Sequence, residues 1–208
     1  KERKPLLVRG ARQVGKTYAV RKLAGAFRHF IEINFDETPE AKGLFDGALT
    51  ARTMATKLSG WSQTPIVPGE TLLFLDELQT CPNAIRSLRY FNEQMPGLHV
   101  VGAGSLLEFA LEELPSFGVG RISSRHLYPM TFREYLDAAG AGMLSELAEK
   151  SDFDNPLDSA LHGKLVGHLR DYMLVGGMPA AVDRFVKTGS FIEAGEVLDE
   201  LVASDRKS

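Results

Sequence analysis

The stretch Gly10-Ala11-Arg12-Gln13-Val14-Gly15-Lys16-Thr17 decides the fold of this 208-residue chain. The segment before it, Pro5-Leu6-Leu7-Val8-Arg9, has the length and apolar character of a short buried strand. Apolar positions after it recur at helical spacing and predict a helix from 16 to about 27; they are Tyr18, Ala19, Leu23 and Ala26. A strand, a glycine-containing turn and a helix in this order indicate the start of an α/β unit.

Further strand-like segments alternate with helical ones along the first part of the chain. Strands are predicted at 29–35, 71–75, 98–102 and 121–128, and helices at 36–59 (in pieces, with breaks at Pro39 and Gly43), 82–94 and 105–114. Residues 61–70 are predicted to form a loop. This alternation favours a mostly parallel sheet with helices on both faces. Only helices are predicted after Thr131, at 131–139, 143–150, 157–174, 179–187 and 190–203. We therefore expect a core at 1–130 and a helical subdomain at 131–208.

The composition is that of an ordinary globular protein, with 44% hydrophobic and 25% charged residues. A net charge of -3 argues against a uniformly nucleic-acid-binding surface. The longest apolar run, Leu72-Leu73-Phe74-Leu75, is too short to span a membrane. The single cysteine, Cys81, cannot form an internal disulfide. We expect a cytoplasmic protein without a membrane partner, and the abrupt start at Lys1 suggests a fragment of a longer chain.

The opening stretch matches the pattern G-x-x-x-x-G-K-[ST] of a phosphate-binding loop. Its glycines permit backbone angles that turn successive N–H groups towards phosphate oxygens, and the following helix adds the positive end of its dipole. Lys16 supplies a cation for the β- and γ-phosphates, and the Thr17 hydroxyl can ligate magnesium. The predicted nucleotide contacts are Gly10, Ala11, Arg12, Gln13, Val14, Gly15, Lys16, Thr17 and Tyr18. Whether Arg12 faces phosphate or solvent stays open.

Two acids, Asp76 and Glu77, end the third predicted strand. An acid at the carboxyl end of a buried parallel strand lies beside the ligand crevice of an α/β sheet. We predict that Asp76 holds magnesium and that Glu77 orients or deprotonates an attacking water, which points to hydrolysis. The alternative is a solvated acid pair that opens a loop. No Asn-Lys-x-Asp sequence for guanine occurs, so the predicted cofactors are ATP and Mg²⁺.

The loop, the strand that ends in Asp76-Glu77 and the segment Val100-Val101-Gly102-Ala103-Gly104-Ser105 together resemble the AAA+ ATPases. The chain is more similar still to a prokaryotic group of AAA-family ATP-binding proteins, in which a C-terminal domain of poorly known function follows the ATPase domain. The stretches that carry this resemblance are Arg9–Thr17, Leu75–Gln79, Pro115–Arg121, Leu127–Leu136 and Gly176–Pro179. The resemblance implies a P-loop NTPase fold, a three-layer α/β/α sandwich with a five-stranded parallel sheet, followed by a helical lid.

The resemblance also implies roles for residues outside the loop. Ser105 falls at the position of a polar sensor for the γ-phosphate, although a serine there also suits a helix N-cap. Arg121, with Arg125 as a weaker candidate on the same strand face, resembles an arginine finger that acts on the nucleotide of a neighbouring subunit. A surface arginine is the alternative. Pro179 falls where related ATPases press a glycine-proline turn against adenine, and the alternative is a helix boundary.

The leading functional hypothesis is an ATPase whose hydrolysis moves the helical lid against the sheet. One alternative is an ATP-binding switch that hydrolyses little and engages a nucleic acid or protein partner. Another is a small-molecule kinase, although only Arg121 and Arg125 resemble the arginines of a kinase lid. Self-association through Arg121 is a further expectation. The five histidines show no metal-ligand spacing, so no zinc site is expected.

Overall fold

The computed structural model describes residues 3–47, 50–105, 107 and 120–205. The chain divides into two compact units, Lys1–Leu127 and Tyr128–Ser208. In the first unit the elements are β1 (Leu6–Arg9), α1 (Lys16–Ala24), β2 (His29–Asn34), α2 (Ala51–Ser62), β3 (Thr71–Asp76), α3 (Pro82–Gln94), β4 (His99–Ala103) and β5 (Ser123–His126). In the second they are α4 (Phe132–Ala138), α5 (Gly142–Lys150), α6 (Ser159–Val175), α7 (Pro179–Thr188) and α8 (Phe191–Asp205).

The five strands form one sheet in the order β2-β3-β4-β1-β5, and every neighbouring pair is parallel. This confirms the predicted five-stranded parallel sheet. From β1 the chain passes through α1 to β2 at one edge of the sheet, whereas β5, the next strand after β4, lies at the opposite edge on the other side of β1. The turn after β1 therefore lies where the chain changes direction across the sheet, which is where open α/β sheets bind their ligands.

All six residues of strand β3 are buried. Leu73 and Leu75 belong to a cluster that includes residues of α2 and α3. Leu72 and Phe74 point to the opposite face and pack in a second cluster with residues of α1. Each of these side chains stabilises the fold by about 1.5–3 kcal/mol on burial. Two apolar faces on one strand give the predicted α/β/α layering.

Some predicted elements differ in the structure. A 3-10 helix, Pro39–Phe45, begins at one of the two predicted breaks. Proline suits a first helical position because it has no N–H to leave unpaired. The helix continues through Gly43, where the second break was predicted. Helix α2 runs to Ser62, so Trp61 lies in its last turn, and the prediction of a loop there is wrong. Most of the predicted helix 105–114 lies outside the described residues. Among the helices described, none is long and apolar enough to cross a membrane.

The second unit packs around Tyr135, which is fully buried and whose pKa is raised by that burial. Thr131 and Glu134 cap α4 reciprocally, side chain to backbone. Ahead of α4, the Met130 N–H donates to the Gly177 carbonyl (2.7 Å) and the Met130 carbonyl accepts from the Tyr172 hydroxyl (2.8 Å). A Cβ on Gly177 would lie 2.3 Å from the Met130 carbonyl oxygen. This close approach explains one glycine of the Gly176–Pro179 turn without invoking a ligand.

Replacement of Gly177 by Ala tests this close approach. We expect the free energy of unfolding to fall by about 1–3 kcal/mol, because the methyl group and the Met130 carbonyl cannot share the space. The matched control is Gly163→Ala in α6, where a Cβ meets nothing within 4 Å. That change should stabilise the helix by about 0.5–1 kcal/mol. Urea unfolding followed by circular dichroism measures both, and equal midpoints would contradict the assignment.

Candidate nucleotide site

The turn after β1 has the backbone of a phosphate-binding loop. Gly10 (φ +141°), Gln13 (φ +59°) and Gly15 (φ +99°) lie in the positive-φ region that favours glycine. A Cβ on Gly10 would lie 2.2 Å from the Leu127 carbonyl oxygen, so packing also demands glycine there. Gly15 precedes α1 and has no side chain to cap the first N–H groups of the helix. Those donors, together with the helix dipole, favour an anion.

Lys16 lies inside this loop, with only 6% of its surface exposed. Its Nζ donates to the carbonyl oxygens of Gly10 (2.9 Å) and Ala11 (2.8 Å). Burial lowers the pKa of Lys16 from its ordinary value, although the nearby charges of Glu77 and Asp76 oppose this shift. An ammonium group has three donors, so one remains for a phosphate oxygen.

Thr17 and Asp76 meet across the edge of the sheet. The Thr17 Oγ1 donates to Asp76 Oδ2 at 2.6 Å, and the Glu77 N–H donates to Asp76 Oδ1 at 3.0 Å. Asp76 is 2% exposed, so these donors stabilise a carboxylate that water scarcely reaches. A hydroxyl and a carboxylate are hard oxygen ligands of the kind that magnesium prefers and combines with substrate phosphates. Within the described residues no group of three or more His, Cys, Asp or Glu side chains could hold a metal.

Glu77 adopts a left-handed backbone conformation (φ 52°, ψ 44°), which costs a non-glycine residue about 1–2 kcal/mol. The turn is held by Thr80, whose N–H and hydroxyl both donate to the Glu77 carbonyl at 3.1 and 2.9 Å. The side chain is held separately, because Gln79 Nε2 donates to Glu77 Oε2 at 2.6 Å. A strained residue in a ligand crevice favours a functional role for its side chain.

A cavity of about 210 Å³ lies beside the phosphate loop. Ser105 lines it together with the loop residues Gly10 and Ala11. The other described residues that line it are Arg9, Gly104, Leu107 and His126. No role is predicted for Arg9 or His126 from the sequence. They are register partners at the ends of β1 and β5, so only the strand pairing brings them together.

Arg121 lies two residues before β5 and is ion-paired within the first unit. Its Nε is 2.7 Å from Glu93 Oε1, which Arg89 also contacts at 2.9 Å. The hydrogen bond from Arg89 is the main cause, with Arg121 contributing, of a Glu93 pKa below the ordinary value. Because β5 begins only at Ser123, strand alternation does not relate Arg121 to Arg125, and the argument for a shared face is wrong.

Of the remaining predicted contacts, Val14 is buried, and the others lie at the surface or in the second unit. Ala11, Arg12 and Gln13 are exposed, and Tyr18 is 72% exposed in the first turn of α1. Pro179 is the first residue of α7, in the second unit. Their contacts with a nucleotide stay predictions.

Comparisons with known proteins agree with this geometry. The sequence model of a family described as AAA domain matches residues 2–136. In structure the chain is similar to a Walker-type ATPase of Pyrococcus abyssi, with a TM-score of 0.55, 17% identity and coverage of 98% of this chain and 71% of that one. It is also similar to PCH-2 of C. elegans, with a TM-score of 0.52, 13% identity and coverage of 98% and 61%. Such identities show the fold alone. No curated protein sequence matches the chain.

Thr17→Val tests whether the hydroxyl stabilises the buried Asp76. We expect the free energy of unfolding without nucleotide to fall by about 1–3 kcal/mol, because a buried acceptor loses a donor. Thr17→Ser keeps the hydroxyl, so its free energy of unfolding should fall clearly less than that of Thr17→Val. Urea unfolding compares the two, and a valine variant as stable as the serine variant would refute this contribution.

Proposed function

The chain belongs to the AAA domain family, and on that premise we propose that it binds Mg-ATP at the phosphate loop and hydrolyses it. Family membership implies nucleotide binding. The observation that carries the proposal is the meeting of the phosphate loop and the acidic end of β3, with Thr17 Oγ1 2.6 Å from Asp76 Oδ2. Loop, cation and acids then surround one position at the carboxyl edge of the sheet.

The chain's own groups suit a triphosphate. The first N–H groups of α1 and the third donor of Lys16 face phosphate oxygens, and the negative charge of the phosphates favours the ammonium form of Lys16. Thr17 and Asp76 would hold magnesium, which when bound neutralises charge on the β- and γ-phosphate oxygens.

Glu77 is the proposed base for hydrolysis. Its carboxylate orients a water molecule and accepts a proton as the water oxygen bonds to the γ-phosphorus. The bond between that phosphorus and the β–γ bridging oxygen breaks, and ADP and inorganic phosphate leave. Ser105, which lines the same cavity as Gly10, is the proposed sensor of the γ-phosphate. We further propose that loss of the γ-phosphate alters the placement of the helical unit, which is a separate compact body.

Glu77→Gln separates binding from hydrolysis. We expect turnover at saturating Mg-ATP to fall about 10²–10⁴-fold, because the amide cannot accept the proton, with ATP affinity retained. The control is Lys16→Met, which should weaken binding itself at least about tenfold. Phosphate release and titration with a fluorescent ATP analogue measure the two effects.

The assay needs several protein concentrations, because a neighbouring subunit can be required. Absence of turnover in the wild type at all of them would defeat the hydrolase proposal. Binding without turnover would then support the ATP-binding switch.

We also propose that Arg121 completes the site of a neighbouring copy. Its side chain is 43% exposed, and its ion pair with Glu93 is a surface contact worth about 0–1 kcal/mol. Glu93 also keeps Arg89 as a partner if Arg121 leaves. Arg121 can therefore be withdrawn at little cost.

A mixing experiment tests whether Arg121 acts between copies. Arg121→Ala should lower turnover about 10³–10⁵-fold if it is an arginine finger, whereas Arg125→Ala should change it little. Addition of the Glu77→Gln variant, which keeps Arg121 but lacks the base, should restore turnover to the Arg121→Ala sites. Wild-type turnover in Arg121→Ala, or no restoration in mixtures shown by mass to co-assemble, would refute the role.

A further inference from the structure

Gln79 contacts two parts of the candidate site at once. Its Nε2 donates to Glu77 Oε2 at 2.6 Å. Its Oε1 is buried and has no hydrogen-bond partner in the part of the chain that the structure describes. The same oxygen lies against Gly104, where a Cβ would come within 2.1 Å of it. Gly104 immediately precedes Ser105 and lines the cavity beside the phosphate loop.

A buried carbonyl oxygen without a partner is destabilising and calls for an explanation. Packing does not supply one, because a smaller or apolar side chain at position 79 would avoid the cost. The Glu77 backbone does not need Gln79 either, since Thr80 and Asp76 already hold that turn. The hydrogen bond from Gln79 Nε2 therefore fixes the side-chain carboxylate of Glu77 and not its backbone.

We propose that Gln79 is a positioning residue for Glu77 and couples its carboxylate to the Gly104–Ser105 segment. A carboxamide is a rigid planar group, so its Oε1 and Nε2 move together. A shift of Gly104 against Oε1 therefore moves the donor that holds Glu77. The glycine at 104 is explained by the same contact, because the carboxamide occupies the space of a side chain. This inference rests on the proposed hydrolysis of ATP.

Gln79→Ala should lower kcat while ATP binding is unchanged. We expect a loss of about ten- to a hundredfold, the worth of a hydrogen bond to a charged group. Gln79→Glu keeps the size of the side chain but places a second carboxylate beside Glu77. Because the two negative charges repel, kcat should fall at least as much as in Gln79→Ala. In a Glu77→Gln background the alanine change should cost nothing further, since the group that it positions is gone.

Gly104→Ala gives the matched half of a double-mutant cycle. Its methyl group displaces the carboxamide, so kcat should fall as in Gln79→Ala. In the Gln79→Ala background the methyl occupies vacated space, and the two effects should not add. The methyl would also come within 2.9 Å of Leu107 Cγ, and additive losses would show that Gly104 acts through Leu107 instead, which overturns the coupling.

The outcomes separate this inference from the function beneath it. No turnover in the wild type overturns both. Turnover in the wild type that Gln79→Ala leaves unchanged overturns only the role of Gln79. A fall in kcat accompanied by an equal loss of ATP affinity, or by a lower thermal midpoint, indicates a merely structural residue and also overturns the proposal.

Discussion

The hydrogen bond between Thr17 and Asp76 links the two halves of the site. Asp76 ends a strand whose residues are all buried, so its carboxylate needs donors from the protein. Thr17 provides one from the start of α1, and the Glu77 N–H provides another. This pairing sets the distance between the phosphate loop and the acids, and Lys16 and Glu77 take their places on either side of it. The proposed binding and hydrolysis of ATP thus depend on one polar contact at the edge of an apolar core.

Three glycines act through space rather than through φ alone. A Cβ on Gly10 would clash with the Leu127 carbonyl, and a Cβ on Gly177 would clash with the Met130 carbonyl. A Cβ on Gly104 would clash with the Gln79 carboxamide. Each of these glycines lies in a stretch of sequence that carries the resemblance to AAA-family ATPases. A glycine in a ligand-binding motif is commonly attributed to the ligand, but in these cases the protein's own chain fills the vacated volume. The two backbone contacts are rigid, whereas the carboxamide end of Gln79 can move.

Much of the fold follows from local patterns, and much of the site does not. The run Leu72–Leu75 predicted strand β3, because an unbroken apolar run suits a strand buried on both faces. Thr17 and Asp76 were both predicted as magnesium ligands from loop and strand ends alone. Trp61 was misplaced because turn-forming residues after it concealed one more helical turn. The Gln79–Glu77 contact depends on the left-handed backbone of Glu77, which local propensity disfavours. The Arg121–Glu93 ion pair depends on tertiary packing.

The left-handed backbone at position 77 has a consequence for how this sequence can change. Glycine or asparagine would adopt that conformation at lower cost, so a chain selected for stability alone would replace the glutamate. Selection for the proposed hydrolysis would oppose replacement of the glutamate at position 77. Retention of an acid there in related chains would indicate that the proposed reaction is under selection. Its exchange for glycine would mark lineages in which the domain has become a binding scaffold.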